Sequence, residues 1–382
     1  MTEFMDPDPS TPAGDAGGRL DGPGTWQVTW QGLRTVTRLE LRQRVRSSRW
    51  KVVLVLWALV LGALTGLLHF ALDTAGVASE GPEGGSPVGP VLFSLVVYLV
   101  LSLGSLIAPG LSATSINGDR GAGVLATLQT TLLTPAEIVL GKLLAAWLTS
   151  LAFLAVALPF VGWGYFTGGT PVGRLIVTFT LLAVMLLVVC AVGVGWSALT
   201  SRTASSVVLT YLTVAFMGVL LPVLFLLSLP LVTTEGTTTF NERQYLEMTT
   251  STSESSWRCV RVTRIRSVTH TEWTWWLLAA NPYVVLADAS PRPAEATAED
   301  ALTIVRLGVR TSRLGVDECL QPGRTYTDAQ GEAEDKRRRE TLGISWPYGL
   351  AINLGLGVGF TAVAVRRLRT PARVLPRGTR VA

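Results

Sequence analysis

Residues 175–199 read LIVTFTLLAVMLLVVCAVGVGWSAL. The stretch holds no Asp, Glu, Lys or Arg. An α-helix rises about 1.5 Å per residue, so about 20 apolar residues cross the roughly 30 Å of hydrocarbon in a bilayer. Five further stretches, at 52–72, 91–113, 143–164, 207–232 and 346–365, are equally free of acidic and basic side chains. His69, near the end of the first, is the one histidine inside any of them. Strict two-residue alternation is absent from these stretches, which argues against a membrane β-barrel. The sequence predicts an all-α polytopic membrane protein with six transmembrane helices.

Composition agrees. Of 382 residues, 48% are apolar and 15% charged, against about 25% charged in ordinary globular chains. Mean hydropathy is +0.41. A soluble domain and a disordered chain are both excluded. Three cysteines and two distant histidines suit neither a disulfide scaffold nor a zinc cluster.

The basic residues predict orientation. Arg34, Arg38, Arg42, Arg44, Arg46, Arg49 and Lys51 precede the first span, and Arg366, Arg367, Arg369, Arg373, Arg377 and Arg380 follow the last. The loop at 73–90 has acidic residues only, while the loop after span 2 carries Arg120 and Lys142. Both termini and the 2–3 and 4–5 loops are expected in the cytoplasm, with the chain in the plasma membrane. Trp50, Trp163 and Trp346 fall near the expected interfaces, as aromatic belts do. A seventh span at 275–287 (WWLLAANPYVVLA) is the rival arrangement. It is short, Asn281-Pro282 interrupts it, and it would place the basic C-terminal tail outside.

The expected organisation follows. Residues 1–25 are acidic, Pro- and Gly-rich and lack the apolar core of a signal peptide, so they read as a disordered cytoplasmic tail. Residues 26–51 read as an amphipathic helix, with Trp30, Leu33, Val36, Leu41 and Val45 at near-helical spacing and arginines between them. Such a helix lies along the inner leaflet. Residues 52–232 hold spans 1–5, and 233–345 form a large extracytoplasmic insertion. Span 6 at 346–365 and a basic cytoplasmic tail at 366–382 complete the chain. Within the insertion, 271–290 reads as a segment dipping onto or into the outer leaflet, and 325–340 as polar and mobile. The run Lys336 to Arg339 is flanked by Glu332, Glu334, Asp335 and Glu340, so a solvated face is expected there and not a nucleic-acid site. Cys259 and Cys319 both fall in the insertion, where a disulfide would persist; the other reading is two unrelated thiols. Cys190 in span 4 reads as a packing residue. Gly355, Gly357 and Gly359, like Gly62 and Gly66, read as small residues for helix packing.

The loop at 114–142, TSINGDRGAGVLATLQTTLLTPAEIVLGK, is the most informative connection. Asp119 and Arg120 place charge beyond the membrane, Gly121 and Gly123 permit a sharp backbone change, and Leu125, Leu128 and Leu132 share one side of a short helix at 124–133. Thr134-Pro135 restarts a helix, because proline suits the first turn. The loop is either a docking element or a plain interfacial connector.

This loop resembles the first cytoplasmic loop of ABC-2 type transporter permeases. The matching residues are Ile116, Asp119, Arg120, Gly123, Leu125, Leu128, Thr134, Pro135, Gly141 and Lys142. Val124 stands where the family has Thr, and Asp119 where Glu is more usual. Glu40-Leu41-Arg42 resembles part of the family's elbow helix, and Asn281-Pro282-Tyr283 in the insertion fits as well. The resemblance implies a separate ABC ATPase docked on the 2–3 loop, with ATP and Mg on that partner and no cofactor on this chain. It also implies a second permease copy or a sister permease, and transport directed outward.

The residues bear on this independently. No GxxxxGK[ST] sequence occurs, since Gly141-Lys142 is followed by Leu143, so no ATP hydrolysis is expected of this polypeptide. The spans lack the acids and centrally placed histidines of proton-driven carriers, so the driving force is expected from outside the bilayer. A membrane enzyme would need a nucleophile with its base, or a metal site, and the histidines are isolated. The remaining alternative is a membrane-anchored structural or sensory protein with a ligand-binding extracytoplasmic domain.

Overall fold

The computed structural model describes residues 25–75, 88–124, 133–166, 170–245, 256–291, 300–314, 319, 321–341 and 343–369. The expected N-terminal tail up to residue 24, the C-terminal tail beyond Arg369, and both Leu125 and Leu128 lie outside the described residues.

Six helices are long and apolar enough to cross a membrane: span 1 Trp50–Thr74, span 2 Val88–Gly121, span 3 Pro135–Phe166, span 4 Val172–Leu199, span 5 Thr203–Ser228 and span 6 Trp346–Leu368. The protein is membrane-embedded. Spans 2, 3 and 4 pack together as the centre, joined by Phe93, Val97, Leu101, Phe153, Leu182 and Met185, all buried. Span 1 crosses the edge of this group, and its Trp57 Nε1 donates to the Phe153 carbonyl at 3.0 Å. Span 6 packs on span 4. Long apolar side chains of spans 1 and 5, such as Leu56, Leu59, Leu212 and Leu227, remain exposed. A bilayer accepts such a surface, whereas every backbone polar group inside it must be paired within the protein.

Other helices surround the spans. Helix α1 (Trp30–Arg46) precedes span 1, and the expected single helix at 26–51 is divided at Ser47. Span 2 is helical over Val88–Ser112, turns at residues 113–114, and ends in α2 (Ser115–Gly121). Span 3 starts at Pro135, ahead of the expected 143, because Glu137 and Lys142 are buried by pairing and not by lipid. Of the paired glycines, a Cβ on Gly357 would stand 3.6 Å from Val188 and Ala191 and one on Gly62 would meet Phe160 at 3.2 Å, whereas a Cβ on Gly66, Gly355 or Gly359 would meet nothing within 4 Å.

Span 5 contains a π turn at Phe216–Leu220, between the α-helical pieces Thr203–Ala215 and Leu221–Ser228. The Leu221 N–H reaches back to the Phe216 carbonyl, which leaves the Met217 carbonyl unused. Pro222 has no N–H to offer Gly218. The side-chain amide of Asn281 donates to both orphaned carbonyls, at 2.9 and 2.8 Å.

The all-α expectation is corrected by the insertion. Strands β1 (Thr233–Tyr245) and β2 (Ser256–Thr269) pair antiparallel from Thr233↔Thr269 to Tyr245↔Trp257, and β3 (Thr325–Thr327) joins the far end of β2. Thr-rich, β-branched sequence favours an extended pleat. Trp257, Cys259, Cys319 and Tyr326 make a small separate core. Cys259 and Cys319 are disulfide-bonded, with Cα atoms 6.0 Å apart. The stretch expected to be mobile at 325–340 is β3 followed by helix α6 (Asp328–Thr341), held by the Arg243–Asp335 ion pair and by Arg338 donating to the Leu314 carbonyl.

The region expected to dip toward the membrane holds a short 3-10 turn, α3 (Trp275–Ala279) and α4 (Pro282–Ala289). Asn281 separates the two helices by capping α4, its Oδ1 accepting from the Tyr283 and Val284 amides. Helix α4 packs on spans 4 and 6 and on α5 (Ala301–Leu314), with Val284 to Asp288 buried. The Asp288 carboxylate accepts from Arg310, from the Ser345 amide and hydroxyl, and from the Trp346 amide. It thereby caps span 6. Arg174, at the start of span 4, pairs with buried Asp300 at the start of α5. These bonds fasten the insertion to the span bundle.

Candidate functional site

The described residues among those singled out in the 2–3 loop gather at the opposite end of the bundle, around Lys142. Its ammonium is 1% exposed and pairs with both Glu40 of α1 and Asp119 of α2. An ammonium removed from water needs such compensation. One lysine thus joins three elements that are distant in the chain.

The start of span 3 is built by Thr134-Pro135-Ala136-Glu137. The Thr134 hydroxyl accepts from the Glu137 amide at 3.2 Å, and the Glu137 carboxylate accepts from the Thr134 amide at 2.9 Å. This is a reciprocal capping box. Glu137 also accepts from the Thr29 amide at 2.8 Å and from the Thr29 hydroxyl. Thr29 is itself the N-cap of α1, its hydroxyl receiving the Gly32 amide. The Thr134 hydroxyl donates to the Gln27 carbonyl at 2.6 Å. One carboxylate therefore caps one helix and holds the capping residue of another.

Two glycines let α1 lie this close. A Cβ on Gly141 would stand 2.6 Å from Val36, and one on Gly32 would strike the Glu137 carboxylate. Thr37 donates to the Gly141 carbonyl at 3.3 Å. Further along α1, Arg44 donates to the Leu111 carbonyl of span 2 at 3.0 Å. Burial pushes the Arg44 guanidinium below its ordinary pKa, and the nearby Glu40 carboxylate opposes that shift.

Helix α2 is tied to the other side. The Ser197 hydroxyl of span 4 accepts from the Ile116 and Asn117 amides at 3.0 and 3.1 Å and donates to the Asn117 side chain. Asn117 donates to Thr200 and to the Arg202 carbonyl, and Arg120 reaches the Thr200 carbonyl at 3.5 Å. Gly123 takes φ +72°, a left-handed conformation that glycine adopts without penalty.

The structure brings together Asp119, Arg120, Thr134, Pro135, Gly141 and Lys142, with Gly123 at the turn leaving α2. Glu137, Thr29, Asn117 and Ser197 carry as much of the assembly but were not among the expected site residues. The T-x-x-E spacing at 134–137 was a readable signal for Glu137. Among the described residues, no three His, Cys, Asp or Glu side chains group closely enough to hold a metal ion. What the arrangement offers is mechanical: α1, α2 and the facing ends of spans 2, 3 and 4 are linked, so displacement of one is carried to the others.

Comparison with protein-family models finds no match to this chain, and comparison with curated proteins finds none.

Proposed function

We propose that this chain is the permease subunit of an ABC-2 type ABC transporter, lying in the plasma membrane with both termini and the 2–3 loop in the cytoplasm. It moves a substrate outward across the membrane, powered by ATP hydrolysis on a separate ATPase docked on the 2–3 loop. ATP and Mg belong to that partner. Two permease chains, identical or sister, complete the pathway. Helices α3 and α4 then reach back from the outer surface toward the spans, and the disulfide lies in an oxidising compartment.

The observation that carries this reading is the Lys142 junction. A force applied to the loop passes through Asp119 and Lys142 to span 3, through Glu40 and Glu137 to α1, and through Asn117 and Ser197 to span 4. The motif match in the same loop supports it. A sensory protein is the second reading, and the observation favouring it is the sheet with its own small core.

The test is co-purification of the tagged full chain from its native membrane. An ATPase is expected with the wild type and absent from the Leu125→Asp/Leu128→Asp variant, while the variant's own yield and melting temperature are retained. An equal amount of ATPase on that variant, or none on the wild type, removes the docking reading.

A further inference from the structure

Helix α1 and span 3 do not close on one another along their whole length. Alongside the Gly141 contact, between Trp30 and Arg46 of α1 and Leu144 and Leu148 of span 3, lies a groove of about 660 Å³, open along one side. Its floor is apolar, formed by Leu33 and Leu41 of α1 and by Leu144 and Leu148 of span 3. Arg34, Arg38, Arg42 and Arg46 also line it, at every fourth position and chiefly through their aliphatic stems, and all four side chains are exposed. Residues four apart on a helix are neighbours on one face, about 6 Å apart along the axis. Adjacent guanidinium groups can therefore bracket a single tetrahedral anion, and the planar fork suits phosphate.

Several features select the occupant. All four arginines are exposed, and none has an acidic partner among the described residues. Glu40, the one acidic residue of α1, is turned the other way onto Lys142. Leu144 and Leu148 belong to an apolar span, and α1 leads directly into span 1, so in a bilayer the apolar floor would face acyl chains and α1 would lie at the headgroup level. Exposed guanidinium groups and an apolar floor, stacked in that order, match an amphiphile with a negative head.

We propose that this groove binds one anionic phospholipid, its phosphate held by Arg34, Arg38 and Arg42 and its acyl chains lying along Leu144 and Leu148. A bound lipid would wedge α1 against span 3 on the side away from Lys142, so it would brace the same junction from behind. The site needs only a membrane-embedded chain and is independent of any ATPase.

The test uses the full chain in nanodiscs of equal phosphatidylglycerol and phosphatidylcholine, released into neutral detergent and weighed by native mass spectrometry. One phosphatidylglycerol retained per chain is expected, in preference to phosphatidylcholine. Arg34→Gln/Arg38→Gln/Arg42→Gln is expected to lower that retention at least about tenfold. Arg366→Gln/Arg367→Gln/Arg369→Gln removes the same charge elsewhere and is expected to leave it unchanged. Leu144→Trp fills the groove with the arginines intact and is expected to lower retention, whereas Leu106→Trp on an exposed face of span 2 is not. Equal retention of the two lipids, or no loss in the triple arginine variant, overturns the proposal. So does displacement by millimolar inorganic phosphate, which marks a free-anion site. A change in the number of chains per particle in Leu144→Trp with lipid count unaltered marks a protein partner and overturns it too.

Discussion

The ammonium of Lys142 has two carboxylates within reach, and the three groups are unequally buried: Glu40 is 12% exposed and Asp119 28%. Loss of one carboxylate leaves the lysine compensated by the other. Loss of both leaves a buried cation alone, a situation that costs about 3–5 kcal/mol. Glu40→Gln and Asp119→Asn are each expected to cost about 1 kcal/mol, and the double variant more than about 3 kcal/mol, so the effects are strongly non-additive. Thermal unfolding in detergent measures this, and a double variant equal to the sum of its parts contradicts the shared role. At this scale the loop motif identified Lys142, Thr134 and Gly141 but not their partners. Glu40 lies about a hundred positions from Lys142 in the chain, and no local pattern states which distant carboxylate a lysine will meet.

The interruption of span 5 shows how one element depends on another. Asn281 satisfies two carbonyls left over by the π turn and Pro222, and its own carbonyl oxygen caps α4. Unpaired carbonyls have no water to turn to in such a site. Asn281→Asp keeps the capping acceptor but cannot donate when ionised. Its expected cost is about 2 kcal/mol or more, with faster hydrogen exchange in peptides covering 216–222. Unchanged exchange there means the carbonyls have another partner. The proline in span 5 was legible, but the π turn was not, since a single proline permits a kink, a bulge or an ordinary helix start. The hairpin leaves a weaker trace in the sequence. Residues 256–269 read SWRCVRVTRIRSVT, with arginines and β-branched residues interleaved, a pattern of period near two. Its low apolar content marks a solvent-facing strand and not a span.

On the scale of the whole molecule, two fastened ends flank a largely apolar bundle. One end is the Lys142 junction; the other is the set of buried pairs Arg174–Asp300 and Arg310–Asp288. The sheet lies beyond the second set and has its own core. It should therefore loosen separately. Cys259→Ser/Cys319→Ser opens a loop of 60 residues, worth about 4 kcal/mol in a chain-entropy account. Expected outcomes are faster hydrogen exchange and proteolysis in 233–269, with spans 2, 3 and 4 unchanged. Equal loosening of those spans would show that sheet and bundle unfold as one unit.

The number, order and approximate limits of the spans were determined by sequence alone, because the cost of placing charge and unpaired backbone in hydrocarbon is local and reads residue by residue. The tertiary structure decided which polar groups meet: Lys142 with Glu40 and Asp119, and Asn281 with span 5. Those pairings arise from the packing of helices remote in the chain. Their geometry exists only once the elements are assembled.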